Sequence, residues 1–74
     1  DYVVRRGREV DAIECKMNPE RFDPESLITF RSIYPDGLNY LVCPATGIPY
    51  DRRFGPLTLS IVTCQDLLTT FGQK

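Results

Sequence analysis

The amino-acid sequence predicts a small α/β domain with a mixed sheet and a strand–strand–helix–strand core. Three features predict it: two strand-like runs joined by a glycine-containing dipeptide, one well-capped amphipathic helix, and a short apolar run after that helix. The 74 residues have room for a single domain. A chain of this size buries only roughly 60% of the surface that its unfolded state exposes, which is near the lower limit for folding alone.

The two strand-like runs span residues 1–6 and 9–17. Gly7 and Arg8 separate them, and a Gly-X dipeptide suits a two-residue type II′ turn, so the runs are expected to form a β-hairpin. The first residue already falls within a strand. This pattern is typical of the middle of a domain, and we expect residues 1–74 to be a partial domain, a C-terminal fragment of a longer protein.

The helix is predicted from residue 23 onward. Asp23 is a typical N-cap, Pro24 suits the first helical position, and Glu25 places negative charge in the first turn. Residues 34–37 (Tyr-Pro-Asp-Gly) predict a turn after the helix. The amphipathic stripe between these signals consists of Leu27, Phe30, Ile33 and Tyr34.

The remaining elements follow the helix. Residues 39–43 are mostly apolar, and the strand–helix–strand order predicts parallel, right-handed pairing of the second and third strands. Residues 44–56 contain three prolines and two glycines, which predicts mostly loop. Residues 57–63 alternate apolar and polar side chains, which indicates an edge strand. Thr63 and Asp66 then resemble a capping box at the start of a short closing helix. The apolar residues of that helix are Leu67, Leu68 and Phe71.

The composition excludes several classes of protein. The chain has no histidine, which removes Ser-His-Asp and Cys-His mechanisms, and its net charge of −1 gives no global attraction for nucleic acid. Cys15, Cys43 and Cys64 are odd in number and widely spaced, so a structural zinc site is not expected. Cys15 and Cys43 lie in apolar runs, as buried free cysteines do, and we expect a reduced, cytoplasmic protein. No membrane span or signal peptide is predicted.

The run Ala-Ile-Glu-Cys-Lys at residues 12–16 holds the candidate site. Residues two apart in a strand point to the same face, so Glu14 and Lys16 share one face of a strand with a buried composition. Buried charges are costly unless they are paired or bind a metal. We interpret the pair as part of a divalent-metal site for phosphodiester cleavage. Carboxylates would hold Mg²⁺ or Mn²⁺, and the lysine would stabilise negative charge or help to deprotonate an attacking water.

The hairpin register predicts a second carboxylate beside Glu14. With a two-residue loop, Arg6 faces Glu9 and Asp1 faces Glu14, and directly opposed residues have Cβ atoms roughly 4.5–5.5 Å apart. A three-residue loop would instead place Asp1 opposite Ile13. Two opposed carboxylates repel each other, and a hard cation between them relieves that repulsion.

Asp1, twelve intervening residues and then Glu14-x-Lys16 resemble the motif of the PD-(D/E)xK, restriction-endonuclease-like, nuclease superfamily. More narrowly, residues 1–4, 10–16 and 39–44 are similar to the C-terminal nuclease-like domain of prokaryotic AAA-type ATPases. The resemblance implies a magnesium-dependent nuclease acting on DNA, with Asp1 and Glu14 as metal ligands and Lys16 as catalytic amine. It also implies an ATPase module in the same polypeptide. The motif proline and the helix that precedes it in the superfamily are not among residues 1–74.

Other interpretations stay open. Glu14 and Lys16 can form a surface salt bridge on a solvent-exposed face, with Asp1 only a chain terminus. A domain can also keep this fold as a catalytically silent module for interaction or DNA binding, or self-associate through an edge strand. A small-molecule enzyme is disfavoured, because the chain has no glycine-rich phosphate loop.

Two groups of side chains are secondary candidates for DNA contact. Arginines at the hairpin tip and in the long loop either bind phosphates or are solvated, and two loop aromatics are candidates for base stacking. Tyr40 is expected to pack in the core. The candidates are Arg5, Arg6, Arg8, Arg52, Arg53, Tyr50 and Phe54.

Overall fold

The computed structural model describes residues 2–44 and 47–72. These residues form a five-stranded mixed sheet with one α-helix on each face, which confirms the predicted small α/β fold. The strands are β1 (Tyr2–Arg6), β2 (Glu9–Cys15), β3 (Asn39–Val42), β4 (Tyr50–Phe54) and β5 (Leu57–Val62). The helices are α1 (Glu25–Ile33) and α2 (Cys64–Gly72), and a short 3₁₀ turn covers Pro19–Arg21.

The strand order is β1-β2-β3-β5-β4. The three central strands run parallel, and each end of the sheet is closed by an antiparallel hairpin, β1-β2 on one side and β4-β5 on the other. The predicted parallel pairing of the second and third strands is therefore confirmed. The specific restriction-endonuclease-like type of this fold stays a prediction.

The second half of the chain departs from the predictions at two points. Residues 50–54 form strand β4 within the segment predicted to be mostly loop, and β5 lies inside the sheet rather than at its edge. Both errors have one cause, because β4 (Tyr-Asp-Arg-Arg-Phe) has too little apolar character to be recognised as a strand. As the edge strand, β4 tolerates charges that an interior strand would not. Its tight turn to β5 uses Gly55 at a φ of 60°.

The first hairpin has the predicted register. Arg6 faces Glu9 across the two-residue loop, and the pairing continues to Tyr2 opposite Ile13. Gly7 has a φ of 64°, as the first loop position of a type II′ turn requires. The two-residue loop therefore determines which residues of β1 lie opposite those of β2.

The predicted start of α2 is present, whereas α1 starts one residue later than predicted, with Pro24 as the N-cap and Glu25 as the first helical residue. The Asp23 carboxylate accepts a hydrogen bond from the Glu25 amide (3.0 Å) at the start of α1. At α2, the Thr63 hydroxyl accepts from the Asp66 amide (3.1 Å), and the Asp66 carboxylate accepts from the Thr63 amide (3.0 Å). This reciprocal pair is the predicted capping box, and it satisfies backbone donors that a helix start leaves free.

Each face of the sheet has its own core. On the α1 face, buried residues from the sheet, from α1 and from the loop before it pack together, and on the α2 face a smaller cluster packs against Leu67 and Phe71. Tyr40 packs edge-on against Phe71 with ring centroids 5.7 Å apart, so its predicted core position is confirmed. Buried residues on the α1 face are Phe22, Leu27, Leu41, Cys43, Leu59 and Ile61.

The predicted stripe of α1 is only half correct. Leu27 is buried and Phe30 is half-buried, but Ile33 and Tyr34 are exposed. Arg31 occupies the buried position instead, because it lies four residues after Leu27 on the same helix face. On α2, Leu68 is likewise exposed.

Candidate functional site

The candidate site lies at the carboxyl ends of the central parallel strands. Glu14 is the penultimate residue of β2, and Lys16 follows one residue after the strand ends. The Lys16 amide donates to the Val42 carbonyl of β3 (3.0 Å), so the backbone remains fixed to the sheet through Lys16. Ligands of open α/β sheets bind in the crevice outside the carboxyl ends of the strands, and this is the edge at which the pair lies.

Glu14 and Lys16 contact each other across one face of the strand. The Lys16 Nζ lies 3.8 Å from Glu14 Oε2, and the side chains are 42% and 28% exposed for Lys16 and Glu14 respectively. A separation of 3.8 Å is an ion pair without a hydrogen bond, and a pair this open to water contributes little to stability. Both charged groups therefore keep access to solvent and to a ligand.

The second predicted ligand, Asp1, lies outside the described residues. The hairpin register on which its prediction depends is the observed one, since Tyr2 pairs with Ile13. Within residues 2–44 and 47–72, no three His, Cys, Asp or Glu side chains converge as a metal-binding group. Magnesium takes only one or two protein carboxylates and keeps several waters, so Glu14 with one more carboxylate fits its requirements.

An apolar cleft opens beside Glu14, between β1 and α1. It has a volume of about 230 Å³. Ala12 contributes a small side chain to its floor, which leaves space under the helix. The other residues around the cleft include Tyr2, Val3, Phe22, Ser26, Leu27 and Phe30. The candidate site thus has a carboxylate at one end of an apolar recess.

The predicted cysteine environments are half correct. Cys43 is buried, and its thiol lies 3.2 Å from the Met17 carbonyl, whereas Cys15 is exposed. Cys15 lies on the opposite face of β2 from Glu14, where the α2-side cluster ends with Ile13.

A second charged pair, which joins β1 to β2, was missed by the sequence interpretation. Asp11 is completely buried, and Arg6 donates to its two carboxylate oxygens at 2.8 and 2.9 Å. The Leu38 amide adds a third hydrogen bond at 2.9 Å. Burial by itself would raise the pKa of Asp11, but the hydrogen bonds from Arg6 and from Leu38 hold that pKa below its usual value. The hairpin register could have found this pair, because it places Arg6 diagonally next to Asp11.

Arg31 closes the same end of the sheet. Its Nε donates to the Asn39 side chain (2.8 Å), and its terminal nitrogens donate to carbonyls of the α1–β3 connection at Tyr34, Asp36 and Leu38. Burial lowers the pKa of Arg31 from its usual value. Gly37 lies so close to the Val10 carbonyl that a Cβ there would clash with it. These contacts hold the α1–β3 connection against the end of the sheet, so we assign them a structural role.

Three of the seven secondary DNA candidates are held by contacts within the fold. Arg6 is held by Asp11, and Arg52 donates to the Pro19 carbonyl (3.1 Å) and lies over the Phe54 ring. Phe54 packs against Phe22 with ring centroids 5.6 Å apart, so it is part of the core rather than a stacking platform. Exposed candidates are Arg5, Arg8, Arg53 and Tyr50, and the last two lie on β4 rather than in a loop.

Comparison of the chain with protein-family models, curated proteins and solved structures finds no match. The resemblance to PD-(D/E)xK nucleases therefore stays a prediction. In the described part of the chain, no helix is long and apolar enough to cross a membrane.

Proposed function

We propose that this domain is a divalent-metal-dependent phosphodiesterase acting on DNA. One observation carries the proposal: Glu14 and Lys16 lie side by side, half-buried and open to solvent, at the carboxyl end of a parallel strand. The fold order and the hairpin register agree with the motif that the sequence resembles. Asp1 is proposed as the second metal ligand.

In this mechanism, Glu14 and Asp1 would hold Mg²⁺ or Mn²⁺, which would bind the scissile phosphate and lower the pKa of an attacking water. Lys16 lies near enough to Glu14 to approach the same phosphate. Its ammonium group would stabilise the negative charge that develops on phosphorus oxygens, or in its neutral form accept the proton of the water. The exposed Arg5 and Arg8 would add sequence-independent contacts to DNA phosphates.

The alternative is a catalytically silent interaction or DNA-binding domain with the same fold, attached to an AAA-type ATPase. The contact between Glu14 and Lys16 favours this alternative, because a carboxylate that already has a cationic neighbour has less need of a metal. The two functions differ in what a metal ion does to the protein.

The first test is thermal unfolding with and without millimolar Mn²⁺ or Mg²⁺. A ligand at a hundredfold its dissociation constant stabilises a protein by about 2.7 kcal/mol. Each kcal/mol moves the unfolding midpoint of a domain this small by roughly 4–8 °C, so binding at Glu14 would give a shift of about 11–22 °C. Glu14→Gln should abolish the shift, and Glu9→Gln, an exposed acid at the other end of β2, should preserve it.

The second test is cleavage of labelled single-stranded and duplex DNA in Mn²⁺. We expect cleavage by the parent chain and none by Lys16→Met, which should still bind metal. A metal shift that is absent, or equal in the parent and Glu14→Gln, contradicts the phosphodiesterase. Salt-dependent DNA binding without a metal shift would then assign the silent module.

A further inference from the structure

The two edges of the sheet differ in how they are protected. In β4, three of five residues are charged, and prolines lie just outside both ends of the strand. Charges and prolines are common devices that keep other chains from pairing with an edge. In β1, the first three residues are Tyr2, Val3 and Val4, and the side chains of Tyr2 and Val3 are 67% and 58% exposed.

The hydrogen-bond pattern shows which backbone groups of β1 face outward. The amides of Val10 and Ala12 donate to carbonyls on the β3 side of β2, so they point away from β1. In an antiparallel pair the bonded residues alternate, which leaves the amide and carbonyl of Val3 and of Arg5 on the outer edge. The bonded pairs of the hairpin are therefore Arg6–Glu9, Val4–Asp11 and Tyr2–Ile13.

The side chain of Val3 lies at the apolar cleft. Val3 pairs with Ala12 and contributes with it to the recess of about 230 Å³ beneath α1. A strand added to β1 would place the residue opposite Val3 on this same face, because directly opposed residues of a sheet share a face. An apolar side chain at that position would cover Val3 and enter the mouth of the cleft, burying surface that is now exposed.

The positive charge of Arg5 on the β1 edge favours an acidic residue in the strand that pairs with it. Arg5 lies two residues after Val3, on the same face, and is exposed, whereas Arg6 is engaged by Asp11 on the other face. Residues 2–6 contain no acidic side chain. In an added antiparallel strand, the residue opposite Arg5 comes two positions before the residue opposite Val3. An acidic residue there would pair with Arg5 across the strands.

We propose that the outer edge of β1 docks an extended peptide segment of another protein. The segment runs antiparallel to β1, with an apolar residue over the cleft beside Val3 and an acidic residue two positions earlier beside Arg5. Main-chain hydrogen bonds to Val3 and Arg5 supply affinity, and the cleft and the arginine supply specificity, as in other proteins that bind peptides by strand addition. The argument for this edge does not rest on phosphodiesterase activity, although Arg5 and the cleft beside Glu14 belong to both proposals.

A second copy of this chain fits the edge less well. Two copies of β1 paired antiparallel would place residues 2–6 of each strand against the same residues of the other. Those residues include two arginines and no acid, so the pairing would give Arg5 no opposite charge. Charge complementarity therefore favours an acidic segment.

The probe is a fluorescein-labelled heptapeptide of threonines, with glutamate at position three and leucine at position five. Fluorescence polarisation would measure its affinity for the full chain. We expect saturable binding, and binding reduced by at least about tenfold for Val3→Pro, which removes an outward amide but no hairpin bond. Arg53→Pro makes the matched change on β4, where Arg53 occupies an outward position, and should leave binding unchanged.

Charge exchange tests the predicted register. Arg5→Glu should weaken binding by up to about fivefold, and a peptide with lysine in place of glutamate should restore it, since cross-strand ion pairs contribute up to about 1 kcal/mol. A peptide with leucine at position three and glutamate at position five tests strand direction and should bind more weakly. If Val3→Pro does not fold by circular dichroism, Val3→Lys replaces it as a charged edge block.

Three results would overturn the proposal: no saturable binding to the parent chain, equal binding to the parent and the folded edge-block variant, or no rescue by the lysine peptide. Sedimentation of the parent chain distinguishes the competing occupant. Self-association that the edge block abolishes, in a chain that does not bind the peptide, would assign the edge to a second copy and contradict the peptide site.

Discussion

Two of the three carboxylates on strand β2, Asp11 and Glu14, lie three residues apart, and their surroundings are opposite in kind. Asp11 is fully buried, accepts three hydrogen bonds from Arg6 and Leu38, and has a lowered pKa. Glu14 is half-buried and meets Lys16 at 3.8 Å. A buried carboxylate with all its partners in place is held for structure, whereas a half-open pair at the carboxyl ends of parallel strands remains free to bind. We call Asp11 with Arg6 the closed pair and Glu14 with Lys16 the open pair.

Removal of the closed pair should have the largest effect. Asp11→Ala leaves the Arg6 guanidinium and the Leu38 amide without their acceptor, and breaking a buried pair costs about 3–5 kcal/mol. Since Arg6 is partly exposed and can be rehydrated, we expect the lower limit, about 3 kcal/mol. The unfolding midpoint should then fall by roughly 12–24 °C. A fall of less than a few degrees in thermal unfolding would contradict the structural role of the closed pair.

Arg31→Met should have the next largest effect on stability, because Arg31 holds the α1–β3 connection at the same end of the sheet. The change keeps an apolar stem of similar length but removes donors from the Asn39 side chain and three carbonyls. Several of these acceptors can reach water, so we expect a loss of about 2 kcal/mol in the free energy of unfolding. Urea denaturation checks it. Arg53→Met on exposed β4 is the control, with an expected change within about 0.5 kcal/mol.

The contrast between the pairs also predicts a pH dependence. The pKa of Asp11 is lower in the folded chain than in the unfolded chain, where it is about 3.9, so the unfolded state takes up its proton first as the pH falls. The stability that this carboxylate contributes is complete above about pH 5 and is lost as the pH falls through 4 towards the folded pKa.

The measurement for this prediction compares the parent chain with Asp11→Ala from pH 7 to pH 3. The difference in their free energies of unfolding should shrink on the acid side. Asp66, whose pKa is also lowered, by its hydrogen bonds from the backbone and side chain of Thr63, acts equally in both chains and cancels in that difference. A constant difference would mean that the Asp11 carboxylate is not stabilised in its charged form.

The sequence predicted the parts of this molecule that local rules govern. The Gly7-Arg8 loop set the hairpin register, Asp23 and Thr63 marked the helix starts to within one residue, and the order of elements predicted the parallel pairing of β2 with β3. Each depends on neighbours in the chain, so its physical cause is visible in a short stretch of residues.

The missed features depend on residues that are distant in sequence. Strand β4 is stable because it pairs with β5 and packs Phe54 on Phe22, and neither contact can be read from Tyr-Asp-Arg-Arg-Phe alone. From the sequence alone, Arg31 is expected to be a solvated helix residue. It is buried because it donates hydrogen bonds to carbonyls of the connection that follows α1. Glu14 and Lys16 lie together as their spacing predicted, but the sequence indicated a more buried pair than the structure has.

The smallest effect on stability is expected at the open pair, and there the comparison is sharpest. Glu14→Gln removes only a partly exposed ion pair at 3.8 Å, so the free energy of unfolding without metal should change by no more than about 0.5 kcal/mol. A loss as large as that of Asp11→Ala would place Glu14 in the structural framework and remove the reason to expect a ligand there. Near-wild-type stability in Glu14→Gln, together with loss of the metal-dependent shift, would show that this carboxylate serves binding and not folding. Such a carboxylate is free to bind a ligand because the fold does not depend on it, and this property distinguishes Glu14 from Asp11.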